Sequence, residues 1–175
     1  MIKPKKDKVL FVLTGGTIDS QFSATEDTVK PLKESVIPAY LKSLRLFSNF
    51  TFKTLFMKDS RKVTYADRVQ IASAIKKFNS KKIIVTHGTY TLIETARFLK
   101  KSFENSDQVI IVTGSLIPLV GFKDSDASFN LGFALACSRF LSPGVYVCMN
   151  GEAYDPENVD KQLSVGLFKP LKIKA

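Results

Sequence analysis

Hydrophobic residues along the chain follow two alternating patterns, short apolar runs and longer stretches with helical spacing. The short runs predict five strands, at residues 9–14, 50–57, 81–86, 109–113 and 144–149. The longer stretches predict four helices, at residues 34–45, 64–78, 91–101 and 124–141. Aliphatic strands that alternate with helices are typical of a parallel sheet covered on both faces. We therefore predict a three-layer α/β domain with a parallel sheet of the Rossmann-like or flavodoxin-like kind.

Local signals refine this layout. Thr64 stands where the second predicted helix begins, and Asp67 follows three residues later, as in an acidic variant of the capping box. Residues 152–175 are less regular, and we expect a loop and a short helix there. Nothing inside the chain is typical of an interdomain linker, so we expect residues 1–175 to form a single domain.

The composition narrows the class of protein. A chain of 175 residues with 45% hydrophobic and 24% charged residues can bury a substantial core, and it has no apolar stretch near the length of a membrane-spanning helix. Cys137 and Cys148 lie in apolar runs without metal-ligand spacing, which favours a reducing compartment. The charged N-terminus lacks the pattern of a secretory signal. We expect a cytoplasmic protein with no membrane partner and no metal.

The net charge of +10 favours anionic partners by long-range attraction. The basic residues are nevertheless spread out, with small accumulations at 3–8, 76–82 and 169–174. No arginine-rich helix, zinc finger or RNA-binding aromatic signature accompanies them. We therefore expect no nucleic-acid partner.

Small hydroxyl residues and glycines follow four of the five predicted strands, at 14–18, 58–61, 86–91 and 113–115. Because ligands bind at the carboxyl ends of strands in such sheets, these residues predict a small polar pocket. The Gly15-Gly16 pair alone also fits a tight turn or a degenerate phosphate loop. It lacks the dinucleotide-binding and Walker patterns, so no cofactor is expected.

The same segments resemble the bacterial L-asparaginase (asparaginase/glutaminase) family. The matching blocks occur in the family's order from residue 9 to about 170, at 14–18 (TGGTI), 85–96 (VTHGTYTLIETA), 114–118 (GSLIP), 125–131 (SDASFNL), 147–150 (VCMN) and 159–161 (VDK). The resemblance implies the asparaginase N-terminal type of fold. It also implies a small amide or amino acid as substrate and a possible homodimer.

The resemblance assigns roles to individual residues. Thr17 is the expected nucleophile, and Thr89 with Lys161 forms the second catalytic pair. The remaining candidates are expected to bind substrate, with Ser60 holding a carboxylate and Ser115 near the oxyanion: Gly16, Ser60, Gly88, Tyr90 and Ser115. His87, the single histidine, is expected to be structural, and Asp59 is expected to brace its loop.

This chain departs from the family pattern at several positions. Tyr90 replaces the aspartate that would pair with a substrate ammonium, and Arg61 replaces a small or amide side chain. Residues 19–30 contain Phe22 but not the tyrosine that the family brings over the nucleophile. The chain also ends near where family members continue into a smaller C-terminal domain, which we expect to be absent.

These departures suggest a shifted function. Without a carboxylate at position 90, Lys161 loses a counter-ion, which makes its neutral form easier to reach in a dry site. We expect an amidohydrolase directed to a substrate without a free α-ammonium, or one with weak asparaginase activity. Two alternatives are a non-catalytic module that binds a small acid or amide, and an anion or nucleotide binder that uses the Gly-Gly loop.

Overall fold

The computed structural model describes residues 8–78 and 80–171 of the chain. Four α-helices lie in these ranges: α1 (Ile37–Ser43), α2 (Tyr65–Phe78), α3 (Leu92–Ser102) and α4 (Ala127–Phe140). The strands of the same ranges are β1 (Lys8–Gly15), β2 (Ser20–Ser23), β3 (Thr28–Pro31), β4 (Asn49–Lys58), β5 (Lys82–Thr86), β6 (Val109–Thr113), β7 (Gly144–Met149), β8 (Glu152–Tyr154), β9 (Val159–Gln162) and β10 (Leu167–Pro170).

The main sheet has the strand order β4-β1-β5-β6-β7-β8. Its first five strands pair in parallel, and β8 alone pairs antiparallel, with β7. The five predicted strands are these five parallel strands, and the predicted fold class is confirmed. β2 with β3 and β9 with β10 form separate antiparallel hairpins.

Side chains of β1 are buried on both faces of the sheet. Leu10 and Val12 pack into the core cluster that contains residues of α2 and α3, whereas Val9, Phe11 and Leu13 pack into the cluster that contains residues of α1 and α4. Successive side chains of a strand point to opposite faces, so burial of every residue after the exposed Lys8 requires helices on both sides. This arrangement explains the unbroken apolar run in the sequence.

The start of α2 has the predicted capping box. The backbone N–H of Thr64 donates to Asp67 Oδ2 at 2.9 Å, and the backbone N–H of Asp67 donates to Thr64 Oγ1 at 3.3 Å. Lys58, at the end of β4, adds an ion pair to Asp67 with an Nζ to Oδ1 distance of 2.7 Å. The helix start is thereby fixed to the carboxyl edge of the sheet.

Two of the predicted helices begin three residues late. Asp126 precedes α4, and its carboxylate accepts from the backbone N–H groups of Leu116 and Ile117 in the preceding loop. The N–H of Val36, just before α1, donates to the carboxylate of Asp19. The residues just before these two helices therefore form hydrogen bonds with loops, although the hydrophobic periodicity assigned them to the helices.

The prediction for the tail was wrong in part. A short 3-10 helix is present at Pro156–Asn158, but strands β8, β9 and β10 account for most of the remaining described tail. Phe168 of β10 is buried against the main core, which holds the hairpin in place. Strands of three or four residues are too short to give a clear period in the sequence. Residues 1–7 and 172–175, which include parts of the basic accumulations, lie outside the described residues.

Two further observations bear on the sequence expectations. Cys137 and Cys148 are free thiols in the interior. Across residues 8–78 and 80–171, no helix combines the length and apolar character needed to cross a membrane.

Candidate functional site

A cleft of about 360 Å³ opens at the carboxyl ends of β1 and β5. Six of the predicted site residues line it: Gly16, Thr17, Ser60, Gly88, Thr89 and Tyr90. The hairpin formed by β2 and β3 contributes a further wall. The topology thus brings together segments that are separated by more than 70 residues in the sequence, because the ends of adjacent parallel strands meet at one edge.

Close backbone contacts explain the glycines of the cleft floor. Gly16 has a φ of 82°, and a Cβ atom there would lie 2.3 Å from the backbone nitrogen of Gly88. A Cβ on Gly88 would in turn lie 2.6 Å from Ser60 Oγ. Only glycine combines this φ with this approach of one backbone to another. Three loops therefore pack directly on one another beneath the cleft.

Thr17 begins a 3-10 turn, Thr17–Asp19, directly after the glycines. The carbonyl oxygen of Gly16 accepts from the N–H of Asp19 at 3.1 Å and from the hydroxyl of Ser20 at 2.8 Å. The Thr17 side chain is half-buried, and its hydroxyl has no hydrogen-bond partner within residues 8–78 and 80–171. Its oxygen is therefore available to a ligand in the cleft.

Lys161 of β9 does not line the cleft itself, but it contacts Thr89, which does. Its Nζ donates a hydrogen bond to Thr89 Oγ1 at 2.7 Å. Burial lowers the pKa of the Lys161 ammonium from its ordinary value of 10.5. In the described part of the chain, no carboxylate forms an ion pair with this ammonium, so nothing of opposite charge offsets the effect of burial on the pKa. The predicted catalytic pair is thus in direct contact.

The position of β9 depends on α3. Arg97 on α3 donates from Nε to the carbonyl of Pro156 at 2.9 Å and from Nη2 to the carbonyl of Val159 at 3.3 Å. Val159, the first residue of β9, is completely buried. These contacts anchor the strand two residues before Lys161.

Tyr90 lies between two cations. The guanidinium carbon of Arg61 is 5.1 Å from the ring centroid, and Lys161 Nζ is 4.8 Å from it, both within the range of a cation–π contact. Arg61 also pairs with Asp59, with an Nε to Oδ1 distance of 3.1 Å. Asp59 accepts from the Arg61 backbone N–H at 2.9 Å as well, and the Arg61 side chain holds the pKa of this carboxyl below its usual range. Asp59 therefore braces its loop, as predicted.

Ser60 is almost completely buried in the same loop. Its Oγ accepts from the backbone N–H of Tyr90 at 3.2 Å, and its carbonyl accepts from the Thr91 hydroxyl at 2.7 Å. Because the Ser60 oxygen is already an acceptor, the hydroxyl proton remains available to an anionic group of a ligand.

The structure does not bring Ser115 to the cleft. Its side chain is fully buried and donates to the carbonyl oxygen of Ile117 at 2.6 Å. The loop after β6 turns inward here, because the hydroxyl satisfies that carbonyl two residues later. The structure therefore does not support the predicted contact of Ser115 with substrate.

His87 is a structural residue, as predicted. Its imidazole is completely buried, with Nδ1 2.9 Å from the carbonyl oxygen of Gly88 and Nε2 3.0 Å from Thr95 Oγ1. Burial lowers the pKa of His87 to about 4, so the ring is neutral at pH 7. Within residues 8–78 and 80–171, no group of three or more His, Cys, Asp or Glu side chains could hold a metal ion.

Sequence reasoning missed the hairpin wall. Phe22, Val29 and Pro31 of β2 and β3 line the cleft opposite the strand ends. Each strand has only four residues, and the intervening residues are mostly polar, so no period marked them. The available signals were Phe22 and Val29 on either side of the turn, and the family resemblance, which implies that residues 19–30 lie over the nucleophile.

Asp19 is a second residue that sequence reasoning missed. It is completely buried, and its Oδ1 accepts from the backbone N–H of Val36 at 2.9 Å. Its Oδ2 has no partner in the described part of the chain. Burial raises the pKa of Asp19 from its ordinary value of 3.8. The carboxyl thus joins the turn that carries Thr17 to the segment before α1.

The Asp19 carboxyl gives a prediction for the pH dependence of stability. The folded protein binds the Asp19 proton more tightly than the unfolded chain does. The free energy of unfolding of the wild type should therefore fall, relative to that of Asp19→Asn, as pH rises from about 3.8 through the folded-state pKa of Asp19. Urea unfolding between pH 3 and 7 measures this difference.

Asp59→Asn is the matched control, because the pKa of Asp59 is shifted in the opposite direction. The free energy of unfolding of the wild type should exceed that of Asp59→Asn near neutral pH, and this difference should be lost as pH falls below about 3.8. Parallel pH curves for wild type and Asp19→Asn would contradict the assignment of a raised pKa to Asp19.

Comparison with known proteins assigns the chain to a family. The family model described as "Asparaginase, N-terminal" matches residues 8–168. The chain is 30% identical to a glutaminase-asparaginase of Pseudomonas fluorescens biotype A, over 93% of this chain and 48% of that protein. It is 31% identical to a glutamyl-tRNA(Gln) amidotransferase component of Aeropyrum pernix, over 88% of this chain and 37% of that protein.

A solved structure shares the fold. The thermostable L-asparaginase from Thermococcus kodakarensis aligns with a TM-score of 0.82 and 29% identity, over 95% of this chain and 52% of that one. The chain therefore spans about half the length of the glutaminase-asparaginase and of the L-asparaginase, and a smaller share of the amidotransferase component. Since the family model covers nearly the whole chain and the fold agrees, this protein belongs to the asparaginase family, of which it contains the N-terminal domain.

Proposed function

We propose that the cleft hydrolyses a side-chain carboxamide through a covalent intermediate on Thr17. The observation that carries this proposal is the 2.7 Å hydrogen bond from Lys161 to Thr89, because Thr89 lines the same cleft as Thr17, whose hydroxyl is unbonded. A hydroxyl becomes a useful nucleophile only if a base removes its proton or that of the attacking water. A half-buried lysine with a lowered pKa is such a base.

The reaction has two steps in this proposal. Thr17 Oγ1 attacks the amide carbon, its proton passes to the leaving nitrogen, the C–N bond breaks and ammonia leaves an ester on Thr17. A water molecule then attacks the ester. Neutral Lys161 accepts the Thr89 proton along their hydrogen bond while Thr89 takes a proton from the water. The acyl C–O bond to Thr17 then breaks, the proton held by Lys161 is given up as the Thr17 oxygen is reprotonated, and the protein releases a carboxylic acid.

The proteins that share this fold support an amide substrate. One of them is named as a glutaminase-asparaginase and another as an L-asparaginase. These two proteins are about twice as long as this chain, and their names describe the whole proteins. An amidohydrolase activity of this chain is therefore part of the proposal. Ser60 would bind a substrate carboxylate through its free hydroxyl proton.

Ammonia release is the direct test. The purified chain is incubated with asparagine, glutamine and their N-substituted derivatives, and mass spectrometry follows the protein. We expect ammonia from at least one of these amides and a transient acyl adduct on the peptide that contains Thr17. Binding of aspartate without ammonia from any amide would contradict the proposal and favour a non-catalytic binding module.

The lowered pKa of Lys161 predicts the pH profile. Because the base must be neutral, kcat/KM should rise with pH and level off below the pH at which an ordinary lysine titrates, 10.5. Tyr90→Asp would place a carboxylate about where the ring now contacts the ammonium. That charge favours the protonated lysine, so the rising limb should move to higher pH.

Tyr90→Phe is the matched control, since it keeps the ring over Lys161 Nζ and adds no charge. In this variant, the rise of kcat/KM with pH should occur at the same pH as in the wild type. If kcat/KM of Tyr90→Asp rose at the same pH as that of the wild type, Lys161 would not be the group that determines the pH profile.

A further inference from the structure

The strand-end side of the cleft is unfavourable for a positively charged substrate group. Arg61 and Lys161 both contact the Tyr90 ring, at 5.1 and 4.8 Å from its centroid. Arg61 is charged at every accessible pH. The phenol ring offers no formal negative charge to a third cation. An ammonium brought against this ring would therefore be repelled by Arg61 at every pH, and also by Lys161 whenever that side chain is protonated.

The carboxylates in the cleft lining do not reverse this picture. Asp59 is occupied by the Arg61 side chain and by the Arg61 backbone N–H. Asp27 also lines the cleft, but it lies in the turn between β2 and β3, on the hairpin. Asp27 is thus the one group of the described cleft lining that could receive an ammonium from the hairpin side, and it provides a discriminating variant.

The hairpin contributes three apolar side chains to the cleft lining, beside the polar residues Ser20, Asp27 and Thr28. Phe22 is 53% exposed and Val29 is 38% exposed, and Pro31 lies beside them in the lining. Tyr90, which is 59% exposed, lines the same cleft from the strand end. Exposed apolar side chains that line a cleft favour a ligand that covers them, because burial removes their surface from water.

We propose, resting on the function proposed above, that the substrate is a side-chain amide of an amino acid whose α-nitrogen is acylated. Acylation removes the positive charge that Arg61, together with Lys161 in its protonated form, disfavours. The acyl chain packs between Phe22 on the hairpin and Tyr90 on the strand end. The α-carboxylate binds at the Ser60 hydroxyl, within the positive field of Arg61.

Steady-state kinetics with three substrates tests the inference. The values of kcat/KM are measured for L-asparagine, N-acetyl-L-asparagine and N-hexanoyl-L-asparagine. We expect the acetyl derivative to exceed free asparagine by about tenfold or more, the factor associated with one charged interaction, and the hexanoyl derivative to exceed the acetyl one. Equal or faster turnover of free asparagine overturns the inference.

Variants separate the contribution of the acyl-chain contact from that of the removed ammonium charge. Phe22→Ser should reduce the advantage of hexanoyl over acetyl asparagine and leave the advantage of acetyl over free asparagine. Phe140→Ser is the matched control, because Phe140 is 86% exposed at the end of α4. It should leave both ratios unchanged. A selective loss of free asparagine turnover in Asp27→Asn would show that the hairpin binds an ammonium, and it would overturn the inference.

A binding measurement separates this inference from the proposed function. Calorimetry compares N-acetyl-L-aspartate, N-hexanoyl-L-aspartate and L-aspartate on the wild-type chain. Preferential binding of the acylated acids without ammonia release from any amide would refute the hydrolysis and retain the ligand class. Ammonia release with preferential binding of free aspartate would refute the ligand class alone. Binding of none of the three at millimolar concentration overturns the inference.

Discussion

Thr17→Ala is expected to reduce ammonia release by about 10⁴-fold or more, since it removes the atom that would form the acyl intermediate. The Thr17 hydroxyl makes no hydrogen bond within the described residues, and the turn that carries it is held by the carbonyl of Gly16. The variant should therefore fold normally. Ammonia release and the thermal midpoint of unfolding are measured on the same preparation.

Thr17→Ser is the control for this experiment, because it keeps the hydroxyl and removes only a methyl group. Part of the turnover should survive in it, and the acyl adduct should appear on the serine. Thr17→Ala turnover within a factor of ten of the wild type would remove Thr17 from the mechanism. Another hydroxyl of the cleft, such as that of Thr89, would then be the nucleophile.

Gly16→Ala is expected to lower the free energy of unfolding by roughly 3 kcal/mol or more. The backbone at Gly16 has a φ of 82°, which is strained for an L-residue, and the new methyl group would meet the backbone of Gly88 at 2.3 Å. A backbone atom cannot move aside as a flexible side chain can. Urea unfolding of the wild type and the variant measures the loss.

Gly132→Ala provides the matched control. Gly132 lies in the middle of α4, and a Cβ atom there would have no heavy atom within 4 Å. Alanine is favoured over glycine in a helix, so this variant should gain about 0.5–1 kcal/mol. If Gly16→Ala were as stable as the wild type, the tight packing of Gly16 on Gly88 would be wrong.

The strands, and their place in a parallel sheet, were predictable because a strand that is buried on both faces has an unbroken apolar run in the sequence. Every side chain of β6 is buried, from Val109 to Thr113, and the sequence there is purely aliphatic up to its last residue. The capping box of α2 was equally local, since Thr64 and Asp67 are only three residues apart. The short strands of the two hairpins were missed because four residues are too few to show a period, even though Val159 and Phe168 are buried in the main core.

The candidate site was partly predictable. The small residues Gly16, Thr17, Gly88 and Thr89 follow β1 and β5, which are neighbours in the sheet, so their convergence follows from the parallel order. Ser115 also follows a strand end, but its hydroxyl turns inward to a carbonyl of its own loop. Position in the chain gives the edge of the sheet on which a residue lies, and it does not give the direction of the side chain.

The sequence by itself determined the class of fold, the edge of the sheet that carries the polar residues, and the replacement of a carboxylate by Tyr90. Only the tertiary structure decided that Lys161 contacts Thr89, that Arg61 and Lys161 both contact the Tyr90 ring, and that the hairpin places Phe22 in the cleft wall. The physical reason is range. Hydrophobic periodicity and helix capping involve residues that are only a few positions apart in the sequence. The contacts of the cleft join segments that are far apart in the sequence and meet only when the sheet and its hairpins pack together.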